Sequence, residues 1–245
     1  GRMMAENNNR RGISGALSLW ALLAKGSFYK VLAVALFMAL AETALFHRTP
    51  GAPFEMKIEE SRIHFVFLAA LGAAFFLLIR MNRVLDNEGR YTVMRLKVTQ
   101  AKLFATRTAY DVLCLLMLFG VQAGLVLWFA ESYRRMPGAL VGPQMEFLAF
   151  YRNGFLHGLL PMADWGKWVR NALMLLALGM EEAGGVGKRY RTTQVGVFIL
   201  SAAWFASPVG LAWQEMVCDL VYVVVIAADL WDLHVSCTSG RIQGE

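Results

Sequence analysis

Charge is scarce in this sequence, and so are the residues that carry covalent chemistry. Of 245 residues only 17% are charged, while 57% are hydrophobic. A soluble domain of this length carries more charge and fewer long apolar runs, so that class is excluded. There are three cysteines, Cys114, Cys218 and Cys237. Two lie in apolar runs and one in the tail, without the paired spacing of a disulfide framework or a metal knuckle, and they read as packing residues. The four histidines, His47, His64, His157 and His234, sit at the ends of apolar runs or between them. No Ser/His/Asp or Cys/His set can be drawn, and no catalytic centre is recognisable. A phosphate-binding loop is missing as well. The run Gly184-Gly185-Val186-Gly187-Lys188-Arg189 would need Gly at position 182 and Ser or Thr at 189, but holds Glu and Arg there.

Long apolar segments are what the chain does have. Crossing the hydrocarbon core takes about 20 apolar residues in a helix. Six segments qualify as expected spans: about 31–46, 63–79, 112–130, 168–186, 195–211 and 216–230. None alternates with period two, so a barrel is ruled out and helices remain. The expected fold is all-α: a polytopic membrane protein with six transmembrane helices, an N-terminal interfacial helix and a cytoplasmic coupling helix. Residues 13–245 form its single domain. The basic balance, with an isoelectric point near 9.4, is explained by cytoplasmic loops rich in Lys and Arg rather than by nucleic acid.

In chain order, Gly1-Arg2 before Met3-Met4 reads as a cloning scar, and the remainder of 1–12 as a disordered polar lead. Leu17, Trp20, Leu23 and Lys25 then fall at helical spacing, as in a helix lying in the membrane interface. Gly26 and Lys30 mark an interruption before the first span; the plain alternative is that this helix merely extends that span. With the N-terminus inside, the inner segments hold about twice as many basic residues as the outer ones, which puts both termini in the cytoplasm. The outer loop 47–62 is short. The second outer loop, 131–167, contains an apolar stretch, 145–160, broken at Arg152-Asn153; it is read as a helix lying on the outer surface or dipping partly in. The fifth and sixth spans are joined by a minimal turn around Ser207-Pro208-Val209-Gly210.

Acids inside a membrane are costly and face a bundle interior or a watery cavity. Glu42 and Asp219 fit that description as pathway or interface residues, with an interhelical hydrogen bond as the plain structural reading. Glu181 and Glu182 lie near the inner end of the fourth span, where Lys188, Arg189 or Arg191 could pair with them. Asp229 and Asp232, at the inner end of the last span, are expected to rely on interfacial solvation.

Between the second and third spans lies the most polar interior stretch, 87–111. Tyr91, Thr92, Val93, Met94, Arg95, Leu96, Lys97 and Val98 make a short amphipathic helix, and Thr99-Gln100 breaks it before a second helical start. The order of elements, together with Met94-Arg95-Leu96-Lys97-Val98-Thr99-Gln100-Ala101-Lys102 and Phe155-Leu156-His157-Gly158-Leu159-Leu160-Pro161, resembles the type-2 (ABC-2) permease subunits of bacterial ATP-driven exporters. The resemblance covers essentially the whole chain. It departs in the outer elements, where the long segment precedes the fourth span and the last hairpin is minimal.

What the resemblance implies is a subunit without enzymatic activity. Two copies of a separate ATPase would bind ATP and Mg and seat the 91–99 helix in a groove, rocking the bundle between access states. This chain itself would bind no cofactor or metal. A second permease copy or a paralogue would complete the pathway in the bilayer, in the bacterial plasma membrane. Two other classes compete. A non-transporting anchor subunit would need the same spans and the same basic loop. An intramembrane protease similar to the CAAX group would start from a pair such as Glu181-Glu182, but would need zinc-binding histidines inside the bilayer.

Overall fold

Without water to bond to, apolar segments satisfy their backbone N–H and C=O groups internally, and these segments do so as helices. The computed structural model describes residues 2–50, 53–87, 99–135, 143–184, 188–206 and 212–242. Nine helices are found among them, and no strand: α1 Arg2–Arg48, α2 Phe54–Glu60, α3 Ile63–Asn87, α4 Gln100–Arg134, α5 Pro143–Arg152, α6 Gly154–Leu159, α7 Trp165–Ala183, α8 Lys188–Ala206 and α9 Ala212–Ile242. Three stretches are long and apolar enough to cross a membrane: Ser18–Arg48, Ile63–Asn87 and Gln100–Arg134. The chain is thus an all-helical protein with the marks of membrane embedding.

The bundle is organised on α4 and α7, its most extensively packed pair; α1 and α3 pack on α4 and on each other, and α8 and α9 pack on α7. Aromatic rings fill the centre. Phe46 stacks on Phe129 at 4.4 Å between centroids, and Phe67 meets Phe205 edge-on at 5.4 Å. The outward faces of α1, α4 and α9 stay apolar, with Phe37, Leu40, Leu116, Trp128, Leu220 and Val224 exposed. Such wide apolar exposure suits hydrocarbon better than water.

Two expectations change. Gly26 and Lys30 do not interrupt the first helix, which is continuous from Arg2 to Arg48, so the polar lead at 2–12 is helical too. Gly26 has a packing role instead: a Cβ there would come within 2.8 Å of the Met81 terminal methyl on α3. The 47–62 connection also contains a helix, α2, held down by Phe54 and Ile58, both buried. Arg62 adopts a left-handed backbone, φ 52°, to turn α2 into α3. Other expectations match. The 145–160 stretch is two helices parted at Asn153, whose side chain accepts from the Leu156 N–H as an N-cap. Helix α4 starts at Gln100, with Thr99 as its extended N-cap.

Candidate functional site

Polar side chains are rare in the bundle interior, so the places where they meet stand out. The richest is where α3 ends, α4 begins and α7 ends. Asn82 of α3 is buried and donates from Nδ2 both to Asp111 Oδ2 of α4, at 2.7 Å, and to the Glu182 backbone carbonyl of α7, at 3.1 Å. One turn further on, Arg107 of α4 pairs with Asp86 of α3 at 2.7 Å. On the other side of α7, Gln194 of α8 donates to the Glu181 carbonyl at 2.7 Å, and Thr193 Oγ1 lies 3.3 Å from the Glu181 carboxylate. Arg83 Nη2 reaches Gln194 Oε1 at 3.4 Å. Four helices are therefore stitched together at one end of the bundle, beside the 88–98 connection.

Close approach makes this junction possible. Gly179 lies on α7 one turn before Glu182, against the Val112 backbone nitrogen and the Thr108 carbonyl of α4. A small residue there lets the two backbones meet, which brings Glu182 up to the Asp111 turn. Glu182 is 1% exposed, and neither of its carboxylate oxygens has a hydrogen-bond partner. The Asn82 Oδ1 and Thr108 Oγ1 atoms are likewise buried and unpartnered.

A second buried contact joins α1 to α4. Gln122 Nε2 donates to Glu42 Oε2 at 2.9 Å, and both residues are fully buried. Glu42 therefore faces the bundle, as an interhelical hydrogen-bond partner. Nearer the other cluster, Ser27 bonds Tyr110 at 2.8 Å, and Trp20 packs edge-on against the same tyrosine.

At the opposite end, Lys167 and Arg170 of α7 are buried, 3.5 and 3.6 Å from the Glu215 carboxylate of α9. The Arg170 guanidinium lies over the Trp204 ring at 3.3 Å, a cation–π contact. Asp219 is half-buried and interacts electrostatically with Arg170. Beyond them an open cavity of about 760 Å³ is lined by Tyr151, Arg152, His157, Asp164, Trp165 and Lys167.

His157 on α6 is buried. Its imidazole is held below the ordinary value first by desolvation, then by Lys167 and Arg170, with Asp164 and Glu215 opposing. As pH falls through the ordinary histidine value, about 6.5, the unfolded chain takes up the proton before the folded chain does. Stability is thus full above that value and falls below it. The thermal midpoint is expected to be lower at about pH 5.5 than at about pH 7.5, and His157→Gln is expected to shrink that difference. An unchanged pH slope in the variant would remove His157 as the cause.

The predicted site residues are not all gathered together. Tyr91 to Val98 lie outside the described residues, as does the Leu17 side chain. Leu23 is buried in the core, Trp20 is partly buried, and Lys25 is exposed. Glu181 and Glu182 belong to the junction, and Glu42 and Asp219 do not. The side chains of Lys188, Arg189 and Arg191 also lie outside the described residues; the bonded partner of the Glu181 carboxylate is Thr193. Asp229 corrects an expectation: it is 7% exposed rather than solvated, because α9 turns it onto the bundle near Glu181. Asn82, Thr108 and Asp111 were not singled out by sequence, since they border apolar runs where polar residues are ordinary. Among the described residues, no group of three or more His, Cys, Asp or Glu is arranged to hold a metal ion. All three cysteines are free. The chain matches no protein-family model, no curated protein and no solved structure.

Proposed function

We propose that this chain is a membrane-spanning permease subunit of an ABC-2-type, ATP-driven exporter, worked by a separate ATPase dimer. One observation carries the reading. The basic 88–98 segment joins two helices whose adjoining ends are tied by Arg107–Asp86 and Asn82–Asp111, and Asn82 extends the tie to α7. A push on a segment hung between helices joined in this way moves three helices together instead of bending one. A coupling helix over Tyr91–Val98 needs that property. The six-span reading adds α7, α8 and α9 to the three long apolar helices. The 19 residues of α7 reach about 28 Å, close to the hydrocarbon thickness. Its Arg170, Glu181 and Glu182 are buried in protein, where a membrane helix keeps its charges. The basic bias supports a cytoplasmic position for the 88–98 segment and both termini; the resemblance to ABC-2 permeases supports a bacterial membrane and a second permease copy or paralogue to complete the pathway.

The test is purification of the whole chain from its native membrane in gentle detergent. An ATPase is expected in near-stoichiometric yield. Single cysteines at Tyr91 and Arg95 should crosslink to it, with yields that differ between ATP with vanadate and no nucleotide. No ATPase, or crosslinking indifferent to nucleotide, would leave the anchor-subunit reading in its place.

A further inference from the structure

We propose that the junction of α3, α4 and α7 is a binding site for a small hard cation, held between the carboxylates of Asp111 and Glu182. This stands whether or not the chain is a permease. The first support is a set of buried acceptor oxygens that no donor reaches. Asn82 Nδ2 is spent on Asp111 Oδ2 and on the Glu182 carbonyl. The Arg107 guanidinium pairs through Nη1 with Asp86 at 2.7 Å and also acts electrostatically on Asp111, while its Nε is buried without a partner. Both Glu182 carboxylate oxygens and Asn82 Oδ1 are left buried without a donor, and Thr108 Oγ1 is buried without a partner. Glu182 is 1% exposed, Asp111 1%, Asn82 3% and Thr108 7%. Unpaired acceptors at that depth are costly, and more so when charged.

The second support is direction. The electrostatic neighbours of the Glu182 carboxyl are Asp111 and Cys114, one turn apart on α4. Helix side chains lean toward their own N-terminus, so Glu182 reaches back along α7 to that turn. Two carboxyl groups thus face one place from two helices, with Asn82 bonded to one of them and Thr108 one turn before Asp111 on α4. The nearest cationic side chain, Arg107, is shared between Asp86, which it bonds, and Asp111, and no cation is an electrostatic neighbour of Glu182. On the far side of α7, Glu181 lies near Asp229 of α9.

Ligand chemistry sets the class. The available ligand atoms are oxygens, the set preferred by alkali and alkaline-earth ions. The Cys114 thiol is taken up by Tyr110. Two carboxylates with neutral oxygens differ from the three-residue His/Cys/Asp/Glu sets of transition metals, which do not occur among the described residues. A cation here would clamp α7 to α3 and α4 at the end beside the 88–98 segment.

The experiment follows thermal unfolding of the full chain in detergent, exchanged into choline chloride with chelator. NaCl is titrated in one series and CaCl2 in another, at constant ionic strength. A saturable rise in midpoint with one of the two ions is expected, since binding to the folded state stabilises it. Glu182→Gln is expected to abolish the rise. Should that variant fail to fold, Thr108→Val, which removes one neutral ligand, is expected to raise the half-saturating concentration by about tenfold. The proposal is overturned by a midpoint indifferent to both ions, or by an ion response that survives in both variants. It is also overturned by a midpoint that moves with pH alone, which would leave the two carboxyls sharing a proton.

Discussion

Gly179→Ala should destabilise the bundle by about 2 kcal/mol or more, the largest effect of one added methyl at any glycine whose surroundings are described. A Cβ at Gly179 falls on Val112 Cγ2 more closely than real side chains pack, with the Val112 backbone nitrogen at 3.2 Å and the Thr108 carbonyl at 3.4 Å. Valine is stiff about χ1 and cannot swing clear, and the backbone atoms move only if α4 moves. The helices must part, and α4 with α7 is the most extensively packed pair in the molecule. Parting them also opens the Asp111–Glu182 junction one turn away. The other glycines set the scale. At Gly72 the obstacle is the tip of the Phe198 ring, 2.9 Å away, and at Gly26 a methionine methyl, both able to give. At Gly120, on α4 itself, nothing lies within 4 Å. Gly120→Ala should be neutral, or stabilising by at most about 1 kcal/mol through helix propensity. Equilibrium unfolding of both variants in detergent decides the matter. Equal stability of Gly179→Ala and Gly120→Ala would contradict the α4–α7 packing.

The same contrast explains what the sequence can and cannot reveal. Long apolar runs announce helices because the solvent leaves no alternative, so α3 and the apolar body of α4 were legible in outline. The Asn153 break was legible too, since an Arg-Asn pair in an apolar stretch acts locally, as a cap. Gly26 was misleading. A glycine that admits a neighbouring helix has the same letter as one that ends its own, and only Met81, 55 positions away, tells them apart. The acids divide in the same way. Glu42, Glu181 and Glu182 stood out as costly charges in apolar surroundings, but the partners of Glu42 and of the Glu182 carbonyl, Gln122 and Asn82, lie 80 and 100 residues away, and those of Glu181 come from the next helix, Thr193 and Gln194. Asn82 and Asp111 carry no local sign of importance. Helix α2 was missed because the burial of Phe54 comes largely from Tyr133 and Phe150, far from it in sequence, beside Phe46 of the preceding helix.

Asn82→Leu tests that junction most directly, and a loss of about 2–4 kcal/mol is expected. Interhelical hydrogen bonds in membranes average only about 0.6 kcal/mol, because the separated helices find other partners. Asn82 should exceed that average for a structural reason. One amide nitrogen serves two acceptors, Asp111 Oδ2 and the Glu182 carbonyl, and an apolar side chain of similar volume keeps both dry while supplying neither with a donor. The cost is therefore that of stranding two acceptors, one on an ionisable group, rather than that of losing one bond. It follows that removing an acceptor should restore stability. Asn82→Leu with Asp111→Leu is expected to be more stable than Asn82→Leu alone, with a coupling of about 1–3 kcal/mol in the double-mutant cycle. If the two losses simply add, Asn82 and Asp111 are not energetic partners, and the tie that would carry motion from the 88–98 segment into α7 is lost as well. If they couple, the proposed permease role adds a consequence: the restored double variant would fail to couple ATP hydrolysis to transport, since the connection from α3 to α7 through Asn82 would be gone while the fold is kept.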